Sequence, residues 1–311
     1  MKSKLYWIYI ICLVSAIALV FSASCASPTE STLTSPTEIT DQLGRTVALD
    51  KPPQRIISLA PSNTEILYAL RLADRVVAVT DYCNYPSEAE VKPTIGGFST
   101  PNIEEIVALS PDLVLATSIH ETKIIPQLEG KGLTVMALNP KTIDSVLDAI
   151  LLTGKVTGVE ENAAELVDGM RQRIKAVTDR TARLTPEHRP RAFYILWHDP
   201  LKTAGSGTLQ DELIQKAGGT NLAQELADYA NISLEVVVRD NPEVIIAGVG
   251  HGSGQDQTFR YAQAEPRLRE ADARRNSRLY AIDSDLTSRP GPRIVEGLEK
   301  FAQFIHPELF K

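Results

Sequence analysis

The sequence contains an internal repeat whose two copies lie 131 residues apart. Residues 102–116 (NIEEIVALSPDLVLA) align with residues 233–247 (SLEVVVRDNPEVIIA), and only three columns pair chemically unlike residues. In both copies a residue that can cap a helix, Asn102 or Ser233, precedes a short helical segment with an acid in its first turn. A proline then stops the helix, and a β-rich apolar run follows. The repeat predicts two lobes of similar α/β architecture.

Apolar β-rich runs alternate with helical periodicity in both halves, which is typical of α/β proteins with mainly parallel sheets. No strand is expected between residues 138 and 191, where two helices are predicted, the second long enough to join the lobes as a rigid strut. A last amphipathic helix is expected around residues 294–305. The predicted strands are residues 55–59, 75–80, 112–117, 133–138, 191–196, 243–247 and 278–282.

The N-terminus has the pattern of an export signal. Lys2 and Lys4 precede an uncharged run over residues 5–24, which ends in small residues before Cys25. A cysteine at this place resembles the lipobox of bacterial lipoproteins, in which the thiol receives a lipid and becomes the mature N-terminus. An uncleaved membrane anchor and plain secretion are the alternatives, and all three place the rest of the chain outside the cytoplasm.

The segment after Cys25 is CASPTESTLTSPTE, which is rich in Ser, Thr, Pro and Glu and is predicted to be a flexible spacer. The folded part is expected to begin near Ile39. The predicted organisation is a signal peptide over residues 1–24, a spacer over 25–38, an N-terminal lobe over 39–141, connecting helices over 142–185 and a C-terminal lobe over 186–311.

Charge and motifs exclude several functions. The formal net charge is −7, with 32 basic and 39 acidic side chains and no basic patch, so nucleic acid is a poor candidate partner. The sequence has no G-x-x-x-x-G-K-[ST], G-x-S-x-G or H-E-x-x-H motif, and its five histidines are scattered. Neither an enzyme nor a resident metal site is therefore expected.

The candidate ligand site lies where the parallel strands end, because loops after the carboxyl ends of strands form the crevice in open α/β sheets. These predicted loops carry Tyr82, Tyr85, His120, Trp197, His198, His251 and Arg289, with Phe98 in a nearby turn. The concentration of aromatic side chains at predicted crevice positions suggests a ligand site between the lobes.

Four segments carry a resemblance to a known family. They are RIISLAPSNTEILYAL (55–70), TDYCNYPSE (80–88), IGGFSTPNIEEIVALSPDLVLA (95–116) and TSRPGPRIVEGL (287–298). In this order and spacing the chain resembles the cobalamin and iron-siderophore group of ABC-transporter substrate-binding proteins, and it is most similar to the cobalamin-binding members. The resemblance implies a class III periplasmic-binding-protein fold, two α/β lobes joined by a long helix.

The resemblance also implies a function. The chain would be a lipid-anchored, monomeric receptor on the extracytoplasmic side that binds a corrinoid between its lobes and delivers it to a permease dimer driven by a cytoplasmic ATPase. It implies no cofactor, since the metal chelate is the transported ligand. Axial ligation of the cobalt or iron of that ligand by His120, His198 or His251 is a further hypothesis. Haem or a ferric siderophore is the alternative ligand, and a surface sensor or an enzyme on the same scaffold is the alternative of another class.

Site residues follow from the matching positions. The resemblance assigns permease docking to one glutamate in each lobe, Glu104 and Glu235, and the lipobox pattern assigns lipidation to Cys25. Together with the loop residues, the expected ligand-binding set is Tyr82, Tyr85, Phe98, His120, Trp197, His198, Tyr229, Asp285 and Arg289.

Overall fold

The structure, a computed structural model, describes residues 37–250 and 256–310. It opens with an antiparallel hairpin of β1 (Thr37–Thr40) and β2 (Thr46–Leu49). The hairpin begins at Thr37, inside the segment expected to be spacer. The predicted signal peptide, Cys25 and His251 lie outside the described residues.

The N-terminal lobe is built on a four-stranded parallel sheet. Its strands are β3 (Ile56–Ser58), β4 (Val76–Ala78), β5 (Leu113–Thr117) and β6 (Val135–Leu138), and their order across the sheet is β4-β3-β5-β6. The helices of this lobe are α1 (Pro61–Ala69), α2 (Ile103–Ala108) and α3 (Ile124–Glu129).

Two long helices follow, α4 (Ile143–Thr157) and α5 (Glu160–Thr181). Thr142 caps α4 by accepting a hydrogen bond from the Ser145 amide, and Gly158 ends it with a φ of 70°. Their apolar faces belong to a hydrophobic cluster that includes Ile56 of the first lobe and Phe301 of the second. One core is therefore continuous through the helices that join the lobes.

The C-terminal lobe repeats the four-stranded parallel sheet and adds an antiparallel one. Its strands are β7 (Arg191–Ile195), β8 (Trp197–His198), β9 (Leu201–Ala204), β10 (Thr220–Asn221), β11 (Tyr229–Asn231), β12 (Val244–Val249) and β13 (Leu279–Asp283). The parallel sheet has the order β10-β7-β12-β13, and the antiparallel sheet has the order β11-β9-β8. The helices are α6 (Leu209–Lys216), α7 (Leu234–Asp240), α8 (Gln257–Ala264), α9 (Asp272–Arg275), α10 (Asp285–Ser288) and α11 (Ile294–Ile305).

The two copies of the repeat make equivalent hydrogen bonds in the structure. The Asp112 carboxylate accepts from the Arg55 amide at 2.8 Å, and the Glu243 carboxylate accepts from the Arg191 amide at 3.0 Å. Each carboxylate thus joins the start of the repeat's strand to the neighbouring parallel strand. The repeat prediction is confirmed by the equal strand orders of the two parallel sheets.

The helix ends within the repeat also match. Asn102 accepts from the amide of Glu105, and Ser233 accepts from the amide of Val236. After the helices, Ser110 and its counterpart Asn241 both adopt left-handed backbone, with φ values of 46° and 48°. Each is followed by the proline that opens the next strand.

All seven predicted strands are present, so the predicted fold class is confirmed. The hairpin β1–β2 and the short strands β8 to β11 were not predicted, and Trp197, expected in a loop, lies in β8. No helix among residues 37–250 and 256–310 has the length and apolar character needed to span a bilayer.

Candidate ligand-binding site between the lobes

A cavity of about 440 Å³ lies between the two lobes. Segments that follow the carboxyl ends of β3, β4, β5, β6 and β13 form its wall, as expected for open parallel sheets. The N-terminal lobe contributes Ala60, Pro61, Ser62, Tyr82, Phe98, Ser99, Thr117, Ser118, Leu138, Asn139 and Pro140, and the C-terminal lobe contributes Asp285, Ser288, Arg289 and Pro290.

Two aromatic side chains present apolar surface to this cavity. Tyr82 is 61% exposed, and Phe98 is partly buried beside it. Small hydroxyl groups and the Asn139 amide make up much of the remaining polar surface. Such a wall offers stacking surface together with uncharged hydrogen-bonding groups.

His120 lies behind Phe98 and does not line the cavity. Its ring is fully buried and meets the Phe98 ring edge-on, with 5.5 Å between the ring centroids. Nε2 donates to the Phe98 carbonyl oxygen at 2.7 Å, and Nδ1 accepts from the Thr117 amide at 3.0 Å. Because both ring nitrogens are occupied, His120 is placed to hold Phe98 and has no nitrogen to offer a ligand or metal.

An ion cluster joins the lobes beside the cavity. Glu65 of α1, with a side chain only 2% exposed, accepts from Arg293 at 2.6 and 2.9 Å and from Arg289 at 3.2 Å. Arg289 also pairs with Asp285 at 2.8 Å and donates to Asn84 at 2.7 Å. We call Glu65, Asp285, Arg289 and Arg293 the Glu65 cluster. It links residues more than 200 positions apart and contains two acids and two bases.

Tyr85 contacts the Glu65 cluster through Arg293 and does not line the cavity. The Arg293 guanidinium lies 3.8 Å from the Tyr85 ring centroid, a cation–π contact. Burial lowers the pKa of Arg293, but the hydrogen bond and charge of Glu65 outweigh it, so that the pKa is raised overall. Tyr85 and Arg293 face a second cavity of about 500 Å³, whose wall includes Met170 of α5.

Tyr229 reaches the first cavity only through other side chains. Its hydroxyl donates to the buried Gln210 at 3.1 Å, and Gln210 donates to Ser288 on the cavity wall at 3.3 Å. Burial raises the pKa of the Tyr229 hydroxyl. The hydroxyl is therefore a neutral donor that helps to position Ser288.

Trp197 and His198 form an aromatic group away from the wall of the first cavity. Their rings lie 4.9 Å apart, and His198 lies 5.9 Å from Tyr261 of α8. Trp197 donates to the carbonyl of Asp199, and His198 Nδ1 has no hydrogen-bond partner among the described residues. The structure therefore does not place these two residues with Tyr82 and Phe98.

The expected docking glutamates occupy equivalent places, one in each lobe. Glu104 is exposed in the first turn of α2, and Glu235 is exposed in the first turn of α7. Glu235 pairs with Arg267 at 3.0 Å. The pKa of Glu235 is lowered, first by a hydrogen bond from its own backbone amide, then by a hydrogen bond from Ser233 and by the charge and hydrogen bond of Arg267.

The sequence singled out four residues of the cavity wall, Tyr82, Phe98, Asp285 and Arg289, and missed its small polar members. It also missed Glu65, because the ligand-site prediction rests on loops after strand ends and Glu65 lies in helix α1. The available signal was a lone acid within the apolar run of α1, TEILYA. Within the described ranges, no group of three or more His, Cys, Asp or Glu side chains could hold a metal ion.

Comparison with known proteins identifies the family. Residues 56–286 match the family described as periplasmic binding protein. The chain is 31% identical to the uncharacterized ABC transporter substrate-binding lipoprotein YvrC of Bacillus subtilis, over 95% of this chain and 96% of that protein. It is also 31% identical to the vitamin B12-binding protein of Vibrio cholerae, over 82% of this chain and 90% of that protein.

Among solved structures, a periplasmic heme binding protein from Pseudomonas aeruginosa superposes with a TM-score of 0.73 at 26% identity, covering 82% of this chain and 93% of that one. The chain thus belongs to the periplasmic binding protein family, and the resemblance found in the sequence is confirmed. It is the substrate-binding component of an ABC importer for ligands of the vitamin B12, haem or iron-siderophore type. Members of this family are extracytoplasmic binding proteins for transport and not enzymes.

Proposed function

We propose that the protein is a corrinoid receptor that binds a cobalamin-like ligand in the cavity between its lobes. The observation that carries the proposal is the chemistry of the cavity wall, where Tyr82 and Phe98 offer apolar rings among small uncharged polar groups. A corrin is a broad disc with amide groups at its edge. Stacking on aromatic rings, with hydrogen bonds at the rim, is the interaction that suits such a ligand.

Charge favours a corrinoid over the alternative ligands. Among the described residues, the only charged side chains on the cavity wall are Asp285 and Arg289, and they are paired with each other. Haem carries two propionates and many ferric siderophores are anions, so their binding gains from an unpaired cation. The relatives named for cobalamin or vitamin B12 support the same choice.

Roles in the site follow from the geometry. Tyr82 and Phe98 are proposed to contact the corrin, and Asp285, Arg289 and Ser288 its polar rim. Asn139 and the hydroxyl groups of the N-terminal lobe offer further hydrogen bonds. His120 and Tyr229 are proposed to act indirectly, by holding Phe98 and Ser288.

Delivery is proposed to use the glutamate pair of the repeat. Glu104 and Glu235 lie at equivalent exposed positions of the two lobes, as a receptor with internal twofold similarity needs when it docks on a permease dimer. We further propose that the protein acts as a monomer. The pattern around Cys25 supports an N-terminal lipid that keeps the receptor near its permease.

A pair of tyrosine substitutions tests the site. Tyr82→Ala should weaken cyanocobalamin binding about ten-fold, or about 1.4 kcal/mol, because it removes one stacking surface. Tyr85→Ala is the matched control, since Tyr85 faces the other cavity. Isothermal titration measures both affinities. Equal affinities of the Tyr82 variant and the wild type would contradict the assignment of this cavity.

A further inference from the structure

Glu65 lies beside the ligand cavity, although it is not on the cavity wall. Arg289 lines the cavity, and Glu65 lies behind it, on the wall of the second cavity. Arg293, which makes two hydrogen bonds to Glu65, lies on that second wall as well. The Glu65 cluster therefore separates the two cavities.

The charges of the cluster cancel only when Glu65 is ionised. Asp285 offsets one guanidinium, and Glu65 offsets the other. The side chains of Glu65, Arg293 and Arg289 are only 2%, 12% and 14% exposed, so water screens these charges weakly. Loss of the Glu65 charge would leave one uncompensated positive charge at the edge of the ligand cavity.

We infer that Glu65 is a specificity-determining residue that selects against anionic ligands by neutralising Arg289 and Arg293. This inference rests on the proposed function, and it adds the charge class of the ligand and the residue that sets it. An anion entering the wild-type cavity meets guanidinium groups whose hydrogen bonds are already made to Glu65, Asp285 and Asn84. The anion loses its hydration there without gaining an unpaired cation as a partner. Neutral amide groups at the same place carry no charge, so this desolvation cost does not arise for them.

The test uses Glu65→Gln and a matched pair of corrins. Cyanocobalamin is compared with its monocarboxylate derivative, in which one peripheral amide is hydrolysed and one negative charge is added. The wild type should prefer the amide form. Glu65→Gln should shift the ratio of the two affinities toward the carboxylate by about ten-fold or more, and this gain should shrink as salt is added.

Two controls separate charge from structure. Glu65→Gln with Arg293→Gln restores the charge balance and should return the wild-type preference. Glu129→Gln makes the same charge change at an exposed ion pair that involves no residue of the cavity wall, and it should leave the ratio unchanged. Near-ultraviolet circular dichroism shows whether each variant is folded. A Glu65→Gln protein that is folded but keeps the wild-type ratio would overturn the inference.

A titration with sodium sulfate keeps this inference separable from the corrinoid proposal. Sulfate is a small dianion, and Glu65→Gln should bind it at least about ten-fold more tightly than the wild type does. If no corrin binds but this gain is seen, the corrinoid proposal fails and the charge inference stands. If corrins bind the wild type and neither carboxylate nor sulfate gains affinity in Glu65→Gln, the charge inference fails alone.

Discussion

His120 is buried between two backbone segments that meet at the cavity. Its ring is neutral in this arrangement, because Nδ1 accepts from an amide and Nε2 donates to a carbonyl oxygen. A second proton would place an N–H on Nδ1 against the N–H of Thr117. Burial lowers the pKa of His120 from its usual value of 6.5, and the hydrogen bond to Phe98 opposes that shift only in part.

A pH dependence of stability follows from the lowered pKa. The unfolded chain takes up the proton near pH 6.5, before the folded protein does. The stability that the neutral ring contributes is therefore complete above that pH and is lost as the pH falls through the lower pKa of the folded state. His120→Gln should reduce the difference in unfolding free energy between about pH 7.5 and about pH 5.5, measured by chemical denaturation.

His188→Gln is the matched control for this experiment. It also removes a histidine, but His188 is exposed and bonds only to the nearby Thr185. The control should keep the wild-type difference in unfolding free energy between the two pH values. If His120→Gln also keeps that difference, the His120 ring is not the source of the pH dependence of stability.

The sequence correctly predicted those residues that line the cavity because of where the backbone places them. Tyr82, Asp285 and Arg289 follow strand ends and do line the cavity. Tyr85 lies in the same loop as Tyr82 but packs on Arg293. No local pattern could distinguish the two tyrosines, because the difference depends on a guanidinium more than 200 positions away.

The repeated helix–strand unit of residues 102–116 and 233–247 is the element that organises both lobes. Each copy is capped at the start, turns through a left-handed residue before its proline, and joins its strand to a neighbour through a carboxylate. The caps, the acids of the first turn and the prolines are local features, and for this reason the sequence could predict the unit. The carboxylate bonds join residues 57 and 52 positions apart, and the sequence did not predict them. The unit also places one exposed glutamate at the same site in each lobe.

The caps of the two copies should contribute alike to stability. Asn102→Ala and Ser233→Ala should each lower the unfolding free energy by about 1 kcal/mol, since each leaves helix amides without an acceptor. Asn102→Asp and Ser233→Thr, which keep an acceptor, should cost much less. Chemical denaturation measures the four values. Equal stability of the alanine variants and the wild type would contradict the capping role.

The strands that the sequence missed are only two to four residues long, too short for an apolar pattern to identify them. β9 is LKTA and β11 is YAN, and they form strands by pairing with each other. β1 has the sequence TEIT and pairs with β2 beside the core. In such segments the partner decides the conformation more than intrinsic propensity does.

Two features of the described residues connect the lobes. The helices α4 and α5 share one hydrophobic core with both lobes, and the Glu65 cluster adds a second, polar connection beside the ligand cavity. Opening the lobes at this point would separate these ion pairs. We expect only a small hinge movement when ligand binds.

Docking on the permease is expected to depend on Glu104 and Glu235, one in each lobe, and not on the ligand cavity. Glu104→Arg with Glu235→Arg should abolish uptake in proteoliposomes that carry the permease and ATPase, because it reverses both docking charges. Affinity for cyanocobalamin should stay within about two-fold of the wild type, since neither glutamate lines the cavity.

The matched control for docking reverses two other exposed acids, Glu129 and Asp179, by substitution with arginine. It changes the net charge equally and should leave uptake intact. Normal uptake by the Glu104 and Glu235 variant would contradict the docking assignment. Loss of uptake in both double variants would point to net charge as the cause.

The most direct measurement is a calorimetric titration of the mature protein, side by side, with cyanocobalamin, cobinamide, ferric haem and a ferric siderophore. The cavity chemistry predicts tight one-to-one binding of the two corrinoids, with haem and the siderophore at least about ten-fold weaker. Tight binding of haem or the siderophore with no binding of either corrinoid would contradict the proposed function.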